Sequence, residues 1–156
     1  PRRDRDVPRG VKVEGPHALR MPSRVGRRIP TYCTSLGKAM LSCLDDQEVK
    51  NIFRDQVLRP CTANTIKTLN QLLADLRMIR KRGYSIDNEE IEIGLRCVGA
   101  PIRDYTGAMV GAISVAAPSA RLSAPKIHNI GKLVVTTAEE ISIKLGYEKL
   151  IKAKAQ

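Results

Sequence analysis

The feature that most narrows the fold of this chain is a change of rhythm at Gly83. Upstream, Leu69, Leu72, Leu73, Leu76 and Ile79 recur every three or four positions through residues 68–82, the spacing of one face of an amphipathic helix. Downstream, apolar residues fall at alternate positions or in short runs, which is the spacing of strands. Helical blocks set apart from a strand-rich block predict an α+β sandwich, an antiparallel sheet flanked by helices. Gly83 follows the basic run Arg80, Lys81 and Arg82 and is the expected helix stop, because glycine adopts the left-handed conformation that ends a helix without steric cost.

Two further helices are expected ahead of that block. In TSLGKAMLSCL, Leu36, Ala39, Met40, Cys43 and Leu44 recur at helical spacing, and Thr34 or Ser35 is placed to cap the start. Asp45 opens DDQEVKNIFRD, where Val49, Ile52 and Phe53 form an apolar stripe and the acids occupy the first turn, as the helix dipole favours. Beyond Gly83, YSID is a first strand and EIEIGL a second, with Ile91, Ile93 and Leu95 on one face. RCVGAPIR and AMVGAISVAA, joined through DYTG, form a hairpin. The chain then enters a long helix with Ile127, Ile130, Val134, Ala138, Ile141 and Leu145 on one stripe, Ser123 as its cap and Gly146 as its stop.

At 156 residues the chain is sized for one domain whose core needs no disulfide or metal. That core must be aliphatic, since there is no Trp, one Phe and four Tyr. The net charge of +11 suggests nucleic acid until it is mapped, for residues 1–28 carry nine basic and three acidic side chains, more than half of the excess. We therefore read residues 1–22 as a basic, irregular leader, 23–150 as the folded domain and 151–156 as a tail. Cys33, Cys43, Cys61 and Cys97 show no zinc-type spacing and suit reduced thiols of a cytoplasmic protein. Neither a signal peptide nor a membrane span is legible. No metal and no cofactor is expected.

Several chemistries can be weighed on the residues. Gly37 and Lys38 lack the preceding glycine and the following Ser or Thr of a phosphate-binding loop, so Lys38 reads as a solvated helix residue beside a packing glycine. Neither His17 nor His128 has a visible partner for nucleophilic catalysis. The densest carboxylate group is Asp87 with Glu89, Glu90 and Glu92. The glutamates read as an exposed edge, whereas Asp87 ends a strand facing a hairpin of small residues. Those small residues, in CVGA and GAISVAA, leave two alternatives open. One is close helix packing. The other is a small polar cavity walled by Cys97, Ser114 and Asp87 and capped by the N-terminus of the 34–44 helix, whose N–H groups suit a carboxylate.

GRRIPTYCTSLGKAMLS, RKRGYSIDNEEIEIGLRCVGAPIRD and GAMVGAISVAAPSAR ahead of a long final helix together resemble the effector-binding domain of the IclR family of bacterial transcriptional regulators, over about Ser23 to Tyr147. The resemblance implies a GAF-like sensor fold that responds to small organic acids, works as a homodimer or tetramer and is joined to a winged helix-turn-helix domain. Too little chain precedes Ser23 for such a domain, so DNA contact is expected only through a part outside this chain. Carried over position by position, the resemblance implies an effector site at the backbone of Ser35 and Leu36, the polar wall residues Asp87 and Cys97, and the hydroxyl of Ser114. Ala116 stands where some members carry a second hydroxyl, implying a different or less polar ligand. Met40, Ile86, Leu95 and Ala116 are the expected apolar lining.

An acidic ligand and Asp87 would repel each other, so the ligand carboxylate is expected near Ser35 and Leu36, with Asp87 accepting from a ligand hydroxyl. A few charge-assisted hydrogen bonds of about 1.5–3 kcal/mol each reach micromolar affinity, about 8 kcal/mol. Two rivals from other classes are a small-metabolite enzyme using Cys97 or Asp87, and a nucleic-acid binding module using the basic leader. The first predicts turnover and a reactive thiol, and the second predicts steeply salt-dependent binding.

Overall fold

The computed structural model describes residues 6–8, 10–13, 26 and 28–148. Most of the 1–22 leader, His17 and the 151–156 tail lie outside these. Strands β1 (Asp6–Pro8) and β2 (Arg28–Pro30) pair antiparallel, Val7 opposite Ile29. Helices α1 (Ser35–Leu41), α2 (Asp46–Phe53) and α3 (Leu69–Arg82) follow, then strands β3 (Ser85–Asn88), β4 (Leu95–Arg103) and β5 (Met109–Pro118), and finally α4 (Ala124–Lys144). The sheet β3-β4-β5 is antiparallel throughout. It is the α+β arrangement that the change of rhythm at Gly83 predicts.

Local chemistry sets most boundaries. Asp45 with Glu48, and Thr68 with Gln71, form reciprocal capping boxes at the starts of α2 and α3, each pairing backbone N–H groups that a helix end leaves unpartnered. Gly83 ends α3 at φ 86°, a conformation that costs a side-chain-bearing residue about 1–2 kcal/mol. At the β4–β5 turn the Asp104 carboxylate accepts from Thr106 N–H (2.9 Å) and hydroxyl (2.6 Å), as short Asx-type turns do.

The sheet has a different neighbour on each face. On one side α4 packs Ile127, Val134 and Ala138 against Val98, Ala100 and Tyr84. On the other, α1 lies on the strands, and Leu41, Val49, Phe53, Leu72, Leu76 and Ile79 join α1, α2 and α3 in the larger apolar cluster. The α4 stripe departs from expectation at its end, where Leu145 is exposed and Ser142 is buried. Ser142 binds the Ala138 carbonyl and accepts from Arg103 N–H at 3.0 Å, so that position carries a polar tie to β4.

The expected strand EIEIGL does not form. Residues 89–94 are a turn, with Glu89 at φ 60° and Gly94 at φ 83°. Side chains compete for the backbone there: Asp87 Oδ1 accepts from Glu90 N–H at 2.8 Å and Glu89 Oε2 from Gly94 N–H at 2.7 Å. Such carboxylate-backbone bonds offer an alternative to ladder pairing, and Ile93 is left outside at 64% exposure.

Candidate functional site

Strand register places the wall residues. Side chains alternate between the faces of a sheet, and Asp87 lies opposite Cys97, which lies opposite Ala116. The next row on the same face is Ser85, Gly99 and Ser114. Alpha-one sits over this second row: Ser85 Oγ reaches the carbonyls of Ser35 (2.6 Å) and Gly99 (3.1 Å), and a Cβ on Gly99 would come within 3.0 Å of the Ser35 carbonyl. Close helix packing therefore accounts for Gly99. The row containing Asp87 and Cys97 lies beside this contact and runs out toward β5, where Ser114 is half-buried and Ala116 exposed.

The expected lining residues divide. Leu95 shares the face of Cys97 by register and is half-buried, and Met40 is half-buried on α1. Ile86 points the other way and packs with Tyr84, Val98, Leu122 and Ile127 beneath α4. The period of two that brings Asp87 to the α1 face necessarily sends Ile86 to the α4 face.

Behind this wall is a charged cluster that the sequence reading placed in solvent. Lys38 is 1% exposed, and its Nζ donates to Asp75 at 2.8 Å and to Glu90 at 2.6 Å. The Gly37 backbone explains its course: a Cβ there would run into the backbone of Thr31, so α1 is pressed close on that side and its next residue points inward. Glu90 is buried rather than at an outer edge, because the 89–94 turn folds it back toward α1. Of the expected exterior glutamates, Glu89 pairs with Arg96 at 3.3 Å, and Glu92 is exposed.

Asp87 is 1% exposed. Its Oδ1 takes the Glu90 N–H, with a longer contact to Ile91 N–H at 3.4 Å, while among the described residues Asp87 Oδ2 and Glu90 Oε2 have no hydrogen-bond partner. Burial pushes the Asp87 carboxyl up to about 6; the N–H of Glu90 opposes this, the Glu90 charge adds to it and Lys38 opposes it. Burial raises Glu90 as well, against the pull of Lys38. The Cys33 thiol, fully buried ahead of α1, is raised by burial and by the adjacent Cys61, the opposite of what a nucleophilic thiol requires.

A cleft of about 730 Å³ opens along the outer side of β3, lined by Lys38, Asp75, Arg82, Ile86, Glu90 and Arg96 among others. It shares Lys38, Asp75 and Glu90 with the charged cluster, whereas Asp87, Cys97 and Ser114 lie on the face beside α1. Two buried carboxylate oxygens thus lack a hydrogen-bond partner among the described residues, Asp87 Oδ2 on the α1 face and Glu90 Oε2 in a residue that also lines the cleft, and such groups are costly to bury. Among the described residues, no group of three or more His, Cys, Asp or Glu is placed to hold a metal ion, and no helix is long and apolar enough to cross a membrane.

Sequence signals for the cluster exist in retrospect. Lys38 is the one charged residue in SLGKAMLSCL, and a lone charge in an apolar helix is as compatible with a buried pair as with solvent. Nothing in the spacing pointed to Asp75.

Comparison with known proteins agrees with this fold. The family profile described as Bacterial transcriptional regulator IclR C-terminal matches residues 6–143. The HTH-type transcriptional regulator KdgR of Dickeya chrysanthemi is 38% identical over 136 residues, covering 87% of this chain and 45% of that protein. The HTH-type transcriptional repressor AllR of Escherichia coli K12 is 36% identical over 135 residues, covering 86% and 50%. The crystal structure of the Thermotoga maritima IclR superposes with a TM-score of 0.81 at 41% identity, covering 86% of this chain and 55% of that one. The chain thus spans about half the length of the relatives it matches, and these are transcriptional regulators, not enzymes. It belongs to the IclR family of bacterial transcriptional regulators and corresponds to their C-terminal, effector-binding domain.

Proposed function

We propose that this domain senses a small organic acid and passes its occupancy to a helix-turn-helix DNA-binding domain outside this chain, acting in the cytoplasm as a homodimer or tetramer. The observation that carries the reading is Asp87, fully buried with one unpartnered oxygen, in a row with Cys97 and beside the start of α1. In that first turn the Gly37 N–H is used by the Thr34 hydroxyl and the Lys38 N–H by the Thr34 carbonyl. The N–H groups of Ser35 and Leu36 are the ones a ligand carboxylate would take. Ser114 supplies a hydroxyl, and Cys97, Leu95, Met40 and Ala116 the less polar surroundings.

An effector held between α1 and the sheet would stiffen their contact and shift how paired domains sit, repositioning the DNA-binding heads. The test is thermal unfolding with pyruvate, gluconate, 3-hydroxybenzoate and matched neutral compounds. An acid at about a hundredfold its Kd stabilises by about 2.7 kcal/mol, a shift of several degrees in a domain of this size. Asp87→Ala should fold and lose that shift. Stabilisation by neutral compounds alone, or an unchanged shift in the variant, would remove the acid site from this face.

A further inference from the structure

The buried cluster does not balance its charge. Facing Asp87 are Glu90 from the 89–94 turn, Lys38 from α1, Cys33 from the segment before α1 and Cys97 across the ladder, with Asp75 and Arg82 of α3 behind Lys38. Three carboxylates meet two cations. Lys38 gives its two ion pairs to Asp75 and Glu90, and Arg82 reaches Asp75 at 3.6 Å. Asp87 is bonded only through Oδ1, to backbone N–H groups, and its Oδ2 is shut from solvent with no partner among the described residues. A second anion brought to this face would add to an uncompensated negative charge in a low-dielectric setting.

We propose that Asp87 works in this site as an acid rather than a carboxylate: an anionic effector binds together with one proton, held on Asp87 Oδ2 and donated from there to an oxygen of the effector. The proton comes from solvent and no effector bond is made or broken. This rests on the effector reading given above, and it replaces the expectation that Asp87 accepts from a ligand hydroxyl. The unpartnered Oδ2 becomes the donor, and the surplus negative charge is removed in the same step. The carboxyl, already raised to about 6 in the free domain, rises further beside an anion. Linkage then fixes the sign: affinity is level below about pH 6 and weakens toward tenfold per pH unit above it, about fiftyfold from pH 6 to pH 8.

Carbon-13 carboxyl NMR of the ligand-free domain tests the first half, with Asp87→Asn identifying the resonance. A midpoint near 6 supports the proposal, and one in the ordinary aspartate range overturns it. Calorimetric titration at pH 7.5 with pyruvate, gluconate and 3-hydroxybenzoate, each in two buffers of different protonation heat, tests the second. Uptake of close to one proton per acid bound is expected; binding without uptake sinks the idea. Asp87→Asn, which keeps a donor at that position, should bind with no change in Kd between pH 6 and pH 8. If none of the three acids binds while the free carboxyl still titrates near 6, the effector reading fails, and this use of the proton falls with it.

Discussion

Two aspartates of this domain stand near basic side chains but are bonded in opposite ways. Asp46, at the start of α2, lies near the surface and is fully engaged: Arg77 reaches Oδ2 at 3.0 and 2.6 Å and Arg80 reaches Oδ1 at 2.7 Å. The Arg80 and Arg77 hydrogen bonds hold its carboxyl below the usual range. Asp87 is sealed, half-bonded and pushed up. The carboxylate that ties two helices is given all its partners and left near water, whereas the one we propose to meet a ligand is buried with a position withheld.

The sharpest way to break this contrast is to remove the cation behind Asp87. Lys38→Met leaves the buried Glu90 and the half-buried Asp75 without their ammonium, and should destabilise the domain by about 3–5 kcal/mol in urea unfolding, as breaking a buried pair does. Adding Glu90→Gln should recover a large part of that loss, since the uncompensated charge goes with it. Additive losses would show that Lys38 matters for packing alone.

Next in size is Asp87→Asn. A carboxyl whose folded value lies above its unfolded one contributes stability that is fully present below about pH 4 and is lost as pH rises through about 6. The amide carries no such dependence. The variant should therefore be more stable than the parent at pH 8, on the order of 2–3 kcal/mol, with the gap closing toward pH 4. A gap that does not change with pH would mean that Asp87 is ionised at no cost.

Smallest is Asp46→Asn. Its two arginines are partly exposed, and such pairs are weak and screened by salt. A slight fall in melting temperature is expected at low ionic strength, shrinking as salt is added. In the parent this contribution is present at neutral pH and lost as pH falls through the depressed carboxyl value, the reverse of Asp87.

The regular parts of the fold were readable because each rests on a local rule. Helix α3 has period, cap and stop in its own residues, and the β4–β5 hairpin has alternation around a turn. The stretch EIEIGL misled because its alternation is real, but Asp87 and Glu89, both just before the stretch, capture backbone N–H groups and bend it. Asp87, Cys97 and Ser114 share a face by parity, which sequence carries, and the same parity assigns Ile86 to α4. The Lys38–Asp75–Glu90 cluster joins residues 37 and 52 positions apart. Periodicity says nothing about such pairings, since they exist only once α1, α3 and the turn have met.

The burial of Lys38 also has a consequence for labelling chemistry. Its amine, 1% exposed and held by two carboxylates, is shielded from acylating reagents that modify surface lysines, and reacts only when α1 lifts away from α3 and the turn. The rate at which that single amine is modified is therefore a clock for the parting of α1 from α3 and the 89–94 turn.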